Sequence, residues 1–276
     1  MRYSLLSLLS VTALLAVSCN NRNGDAGHKE AGAAPADSIR LADFSASPDF
    51  PNAQLGISSM QATKAGADSV KLAIAFDVKN YELKAQTGDA GGKQCNNSDK
   101  GQHIHFIMDN KPYVALYEPK HETTVPVNSE HYILCFLSRS YHESVKNKEA
   151  AVLAHIKVDE KGNLQRLPDP TTPMLFYSRP KGDYLGKDTA NLLLDFYPTN
   201  VALGSDYKVK ADIKNESNGK TASLMLNEWK PKFIRGLGTG KASVTLTLVD
   251  KEGTPVQGPN TTTTRNINLA ASEPLK

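Results

Sequence analysis

The amino-acid sequence predicts an all-β protein: two immunoglobulin-like β-sandwich units in tandem, placed behind an export signal and a flexible tether. Three observations predict it. Turn signals recur at short, regular spacing, helical periodicity is nearly absent, and two stretches of the chain repeat one pattern. Of the 276 residues, the roughly 250 left after the leader are enough for two ordinary domains with separate cores.

The leader comes first. Arg2 gives a short positive start, and the apolar run from Leu5 to Val17 is too short to span a bilayer as a helix. It ends in Leu15-Ala16-Val17-Ser18-Cys19, which resembles the bacterial lipoprotein cleavage box. Residues 1–18 are therefore the expected signal peptide and Cys19 the expected lipidated N-terminus. Two or three acyl chains, at about 0.8 kcal/mol per buried methylene, make such attachment effectively permanent. Asn20, where an aspartate would favour inner-membrane retention, points to the outer membrane. The expected location is the cell envelope, with the membrane itself as a partner through the lipid. Residues 19–40 are rich in Asn, Gly and Ala, carry both signs of charge and read as a flexible tether. A formal net charge of +3 without a long basic run gives a nucleic-acid partner no support.

The first sandwich is expected over residues 41–167. Ser69 to Val78 is a strand-like run preceded by the turn Lys64-Ala65-Gly66-Ala67-Asp68. His103 to Met108, Tyr113 to Tyr117 and Glu122 to Val127 follow. His131 to Leu137 is apolar on both faces, as a central strand would be. Val152 to Val158 runs into the turn Asp159-Glu160-Lys161-Gly162-Asn163. Only Tyr141 to Ala151 could hold a helix of two or three turns. Residues 168–190 are expected to connect the units, starting in the Pro-rich stretch Leu167 to Pro173. The second sandwich, over 191–270, takes Leu192 to Tyr197, Tyr207 to Ile213, Ser223 to Leu226, Ser243 to Val249 and Thr263 to Leu269 as strands. Asn218-Gly219 marks a hairpin, because both residues tolerate positive φ. Residues 271–276 form a tail.

The two units read as copies. Phe76 to Leu83 lies over Phe196 to Leu203, Ile104 to Asn110 over Val209 to Asn215, and His131 to Ser140 over Lys241 to Asp250. Their main difference is a long insertion between Leu83 and Gly101, where the second unit has only Gly204-Ser205-Asp206.

Chemistry is concentrated in the first unit. His103 and His105 are two apart on one predicted strand, so their imidazoles share a side. With His131 and His142 they form a candidate zinc or copper site, and the second unit has Lys208, Lys210 and Lys241 in the matching places. Arg139 and Tyr141 in one run, and Tyr177, Arg179 and Lys181 in another, form a candidate anion cradle, since guanidinium forks match phosphate or carboxylate oxygens. Cys95 and Cys135 are the thiols left after lipidation, and in an oxidising compartment a disulfide is expected, contributing roughly 3–4 kcal/mol. Trp229, the only tryptophan, is expected in the core. The chain has no G-x-S-x-G, H-E-x-x-H, Walker or Rossmann pattern, and the reading is of a non-enzyme.

Three runs carry a family likeness. Gly101-Gln102-His103-Ile104-His105-Phe106, Leu137-Ser138-Arg139-Ser140-Tyr141-His142-Glu143-Ser144 and Met174-Leu175-Phe176-Tyr177-Ser178-Arg179-Pro180-Lys181-Gly182 resemble a bacterial lipoprotein family that circulates under the name phosphopeptide-binding protein. The resemblance covers most of the mature chain, including Leu194-Asp195-Phe196-Tyr197 and the Val249-Asp250-Lys251 region. It implies a phosphate-bearing ligand, adds weight to Arg139, Arg179 and Lys181, and supplies no catalytic residue. The leading expectation is thus a non-enzymatic envelope module, without cofactor, that binds an anionic ligand or an envelope protein. The alternative is the histidine metal site, for zinc or copper handling or as a small catalytic centre.

Overall fold

In the structure, a computed structural model that describes residues 38–272, every regular element longer than a single helical turn is a strand. The expected signal peptide, Cys19, all but the end of the tether and the last four residues of the tail lie outside the described residues.

The first strand, β1 (Arg40–Asp43), is followed by eight that build one sandwich: β2 (Gln54–Lys64), β3 (Ser69–Lys79), β4 (His103–Met108), β5 (Val114–Leu116), β6 (Lys120–Pro126), β7 (Ser129–Ser138), β8 (Ala151–Val158) and β9 (Leu164–Leu167). A three-stranded sheet, β2-β3-β6, faces a five-stranded sheet, β5-β4-β7-β8-β9. Period-2 alternation sends Val70, Leu72, Ile74 and Phe76 of β3 inward, against Ile104, Phe106 and Met108 of β4 and Ile133, Cys135 and Leu137 of β7.

The second sandwich uses β10 (Met174–Arg179), β11 (Gly182–Leu185), β12 (Leu192–Thr199), β13 (Tyr207–Asn215), β14 (Thr221–Leu226), β15 (Lys232–Arg235), β16 (Gly240–Asp250) and β17 (Thr262–Ala270). Its sheets run β1-β15-β12-β10 and β11-β17-β16-β13-β14. The two sandwiches repeat one strand order, β2-β3-β6 corresponding to β10-β12-β15 and β5-β4-β7-β8 to β14-β13-β16-β17. This is the immunoglobulin-like arrangement expected from the sequence, and the three matched stretches fall on equivalent strands, the third displaced by one residue: Ser138 opposes His103 as Val249 opposes Lys208, so His131 corresponds to Ala242 and not to Lys241. Small details repeat too. Asn80 and Asn200, both at positive φ, end β3 and β12, and each amide donates to the backbone just before its unit's first strand, at Asn52 in one and Pro170 and Thr172 in the other.

The unit boundaries differ from those expected. β1 pairs with β15, so the start of the predicted first unit completes a sheet of the second. β10 and β11 occupy the predicted connecting segment 168–190, and β10 is the edge strand of one sheet of the second sandwich, paired with β12. Its six residues are all buried and show no alternation, because Leu175 and Tyr177 enter the second core while Met174 and Phe176 enter a core between the sandwiches. The helix allowed for over Tyr141–Ala151 does not form. A tight turn, closed by Arg139 N–H to the Glu143 carbonyl and His142 N–H to the Arg139 carbonyl, precedes a single 3₁₀ turn at Lys148–Ala150.

The two sandwiches pack as one compact unit. Ile107, Leu134 and Phe136 leave the outer face of the first five-stranded sheet and meet Met174, Phe176 and Tyr197. Fully burying side chains of this size contributes roughly 1.5–3 kcal/mol each. Polar clamps fix the contact. The Asn110 amide donates to the Leu175 carbonyl and accepts from Tyr177 N–H, both at 2.8 Å. Buried Asp195 takes Lys146 Nζ at 2.6 Å and Ser144 Oγ at 3.1 Å. Both clamps lie beside the histidine-bearing face of β4.

Candidate metal centre

On β4 the residues that alternate with the core-facing set are His103, His105 and Ile107, and they point toward the second sandwich. The equivalent face of β13 carries Lys208 and Lys210. In the first sandwich this face is roofed by the long insertion, which folds back over it. Thr87 and Ser98 bond to Ser140, Ser98 Oγ meets Tyr117 Oη at 2.6 Å, and Asn96 reaches Arg179. His103 and His105 are consequently 0% exposed and His142 7%.

The three imidazoles converge. His103 Nε2 lies 2.9 Å from His105 Nε2 and 3.1 Å from His142 Nδ1, and the three ligand atoms fall within 4.8 Å of one another. Nitrogens sharing a tetrahedral ion at 2.0–2.1 Å sit about 3.3 Å apart, so the two edges that meet at His103 are near that spacing, while the His105–His142 edge is wider and closes on an ion by a small turn of a ring. The outer nitrogens are held as ligand histidines usually are. His103 Nδ1 donates to the Gly101 carbonyl at 2.8 Å, which leaves Nε2 as a bare lone pair, and His105 Nδ1 lies 3.1 Å from Ser178 Oγ. Gly101 can present that carbonyl because it sits at φ +79° with the Lys84 carbonyl packed where a Cβ would be. Tyr113 stacks on His105 at 3.6 Å between centroids, and its hydroxyl is 3.3 Å from His142 Nδ1.

Burial keeps these rings neutral. It pushes His103 down to about 4, with Arg179 and Lys181 adding to the effect. His105 is held well below the usual range by burial and then by His103 and His142, and His142 by burial and then by Arg179. A neutral imidazole with a free lone pair is the form that binds a transition metal.

His142 carries a further mark. It sits at φ +69° in the turn after β7, and the isolated bridges Ser138↔Ser144 and Val249↔Pro255 identify Gly253, at φ +85°, as its equivalent. A histidine thus occupies a left-handed position that the second unit gives to glycine.

The other expected site residues fall elsewhere. His131 is not part of the cluster, because the β7 register puts it opposite Ile156, at the end of the strand away from Ser138 and His103. Both its nitrogens are occupied, Nδ1 by Asp109 at 2.6 Å and Nε2 by Ser129 at 2.8 Å. The cradle expected from Arg139 and Arg179 does not assemble. Arg139 donates to the Ser144 and Pro48 carbonyls, pairs with Glu143 at 3.5 Å and lies over Phe50, fastening the segment after β1. Tyr141 is buried against Phe44 in that same region. Tyr177 faces the second core with Arg265 over its ring. Only Arg179 and Lys181 adjoin the histidines.

Nor is the expected Cys95–Cys135 bridge formed, both thiols being free. Cys135 points into the core between the sheets, whereas Cys95 is in the insertion that crosses the opposite face of that sheet. Burial pushes Cys95 up to about 12 and raises Cys135 as well, so both remain thiols. Trp229 is half-buried at the edge of the inter-sandwich core, its indole N–H donating to the Phe196 carbonyl at 2.8 Å. Sequence reasoning missed the supporting groups: Gly101, Tyr113 and Ser178 as partners of the histidines. The only local signal was the Gly101-Gln102-His103-Ile104-His105 run itself.

No family model and no curated protein matches the chain. Among solved structures it is similar to the fibronectin(III)-like modules of Clostridium thermocellum CbhA, with 9% identity, a TM-score of 0.25, and 79% of this chain and 95% of that one covered. The FN1–FN3 domains of chicken CNTN1 give 8% identity, a TM-score of 0.25, and 80% and 68% covered. The two tandem V-type regions of VCBP3 give 8%, 0.24, and 79% and 99%.

Proposed function

We propose that the protein is a non-enzymatic metal-binding module of the cell envelope, anchored by lipid at Cys19, in which His103, His105 and His142 hold one zinc or copper ion. The observation that carries the metal reading is the convergence of three buried neutral imidazole nitrogens, two pairs of them 2.9 and 3.1 Å apart. Imidazole donors suit both metals. The anchor rests on the leader sequence alone. Cys19→Ala is expected to abolish labelling by a palmitate analogue, and equal labelling of the variant sinks the anchor.

The metal test uses detergent-extracted full-length protein, stripped with a chelator and dialysed against zinc or copper. Elemental analysis is expected to give about one ion per chain. His142→Gly keeps the turn, as Gly253 shows in the second unit, and is expected to lose the ion. Ser178→Ala frees the His105 ring and is expected to weaken binding roughly 10- to 100-fold. Stoichiometry unchanged in His142→Gly refutes the site.

A further inference from the structure

The wall beside the three histidines is cationic and lacks the counter-charges found elsewhere in the interior. Arg179, at the end of β10, is 7% exposed. Its Nη1 donates to Tyr184 Oη at 3.0 Å, its Nη2 to Asn96 Oδ1 at 3.4 Å, and its Nε has no partner. Its guanidinium carbon lies 5.4 Å from the Tyr113 ring centroid, the ring that stacks on His105. Lys181 Nζ donates to the Tyr113 carbonyl at 2.6 Å and sits 3.9 Å from the same centroid. Three other interior cations have carboxylates: Lys93 has Asp89 at 3.0 Å, Arg139 has Glu143 at 3.5 Å and Lys146 has Asp195 at 2.6 Å. Arg265 shares the condition of Arg179, resting on the Asn110 carbonyl and the Tyr177 ring, but it lies over the second core and not beside the histidines. Among the described residues no ion pair involves Arg179 or Lys181. A buried charge without a counter-ion is costly, and guanidinium against aromatic faces and neutral oxygens recovers only part of that cost.

The metal reading sharpens the imbalance. Three neutral imidazoles leave the charge of a divalent ion undiminished, and three protein ligands leave one tetrahedral position open. Two positive side chains beside such an ion repel it, unless an anion stands between them. One species answers both needs, supplying an oxygen to the metal and a second oxygen to the unpartnered edge of Arg179.

We propose that the centre binds a small oxyanion, a carboxylate or phosphate, as the ligand completing the metal at His103, His105 and His142 and bridging it to Arg179 and Lys181. The site rests on the metal reading above. The ligand is a molecule from outside the chain, and because His103 and His105 are 0% exposed it reaches the centre only when the covering insertion parts; Lys100, exposed and lying over Tyr117 at 5.5 Å beside His103, adds positive charge to that cover. The anion reading of the sequence is thereby moved, from a pair of arginines to one arginine and one lysine joined through a metal.

Cobalt reports the fourth ligand directly, because the visible absorption of a four-coordinate cobalt ion follows the identity of its donors. Full-length protein loaded with cobalt is titrated with inorganic phosphate and, separately, with acetate, and each titration is repeated on the metal-free form by calorimetry. A saturable spectral change with one or both anions is expected, and the arm that responds identifies the headgroup chemistry. In Lys181→Met, which keeps the aliphatic stem, and in Arg179→Gln, anion affinity is expected to fall roughly tenfold or more with cobalt stoichiometry unchanged. Cobalt bound with a spectrum indifferent to both anions overturns the oxyanion site and leaves the metal centre standing. Equal anion affinity with and without cobalt overturns the bridge. Failure to bind any metal overturns both readings.

Discussion

Two sheets in this molecule share a strand order and register, yet one is a surface and the other an interior. In the second sandwich β13 offers Lys208 and Lys210 on its outer face, and Lys210 pairs with Asp212 at 3.1 Å in the open. In the first, β4 offers His103 and His105 at the same positions, and both are sealed. The strands did not change; the cover did. A three-residue connection, Gly204-Ser205-Asp206, became the insertion between Leu83 and Gly101, and β10 supplies Ser178, Arg179 and Lys181 from the other side. Lysine tolerates an exposed face because its ammonium stays hydrated, whereas a sealed face needs a side chain that can be neutral near pH 7. Histidine meets that need and brings a metal-binding lone pair with it.

The largest test of this contrast exchanges the residues. His105→Lys places an ammonium at a 0% exposed position, beside Arg179 and between Tyr113 and Phe136. An uncompensated buried charge costs about 3–5 kcal/mol, and the urea midpoint is expected to fall accordingly. The converse, Lys210→His, acts on an exposed face and is expected to stay within about 0.5 kcal/mol. Equal effects of the two exchanges would falsify the claim that cover alone separates the faces.

Acid separates the units next. The His103 pKa is about 4 in the folded protein, against 6.5 for an unperturbed histidine. Between those values the unfolded chain takes up a proton that the folded chain refuses, so stability falls as pH falls through 6.5 toward 4 and is flat above that window. For His103 alone the loss from pH 7 to pH 5 is about 2 kcal/mol, and His105 and His142 act in the same direction. The second unit has no histidine and so no such contribution. Chemical denaturation of metal-free protein at pH 7 and pH 5 measures it. Unchanged stability would mean that the rings are not sealed.

Much of this contrast was legible before the structure. Strands such as His103–Met108 and Leu192–Thr199 announce themselves by apolar runs bounded with turns, and the match of Ile104–Asn110 to Val209–Asn215 located equivalent strands. Even the side-sharing of His103 and His105 follows from period 2. What was illegible depends on contacts between distant segments. β10 has no alternation because it is buried on both faces by different cores, so it read as a linker. β2 hides for the opposite reason: its outer face is Ser, Gln, Thr and Lys, and only Leu55 is buried. Arg139 and Arg179 sit in similar local sequences, each with a carboxylate four residues on, but Glu143 turns back to pair with Arg139 whereas Asp183 is exposed on β11 and makes no ion pair with Arg179. The choice of His142 over His131 turns on which end of β7 meets His103, which no local pattern states.

The smallest effect probes that choice at the level of the backbone. His142 at φ +69° and Gly253 at φ +85° hold equivalent turns. In the left-handed region a Cβ meets the following carbonyl, at a cost of about 1–2 kcal/mol, and glycine escapes that cost. Gly253 is exposed, and a methyl group added there would meet only Met225 Cε, at 4.0 Å, so Gly253→Ala is expected to destabilise by about 1 kcal/mol through the backbone alone. At His142 both Gly and Ala remove the same ring, and the same cavity is left beside Tyr113 and His103. In an ordinary position glycine is the worse of the two by about 0.5–1 kcal/mol, because it loses more freedom on folding. Here the order is expected to invert, with His142→Gly more stable than His142→Ala by about 1 kcal/mol in metal-free protein. Urea midpoints of the two variants decide it. If alanine is the better tolerated, the turn is unstrained and His142 has no special claim as a residue held in place for a ligand.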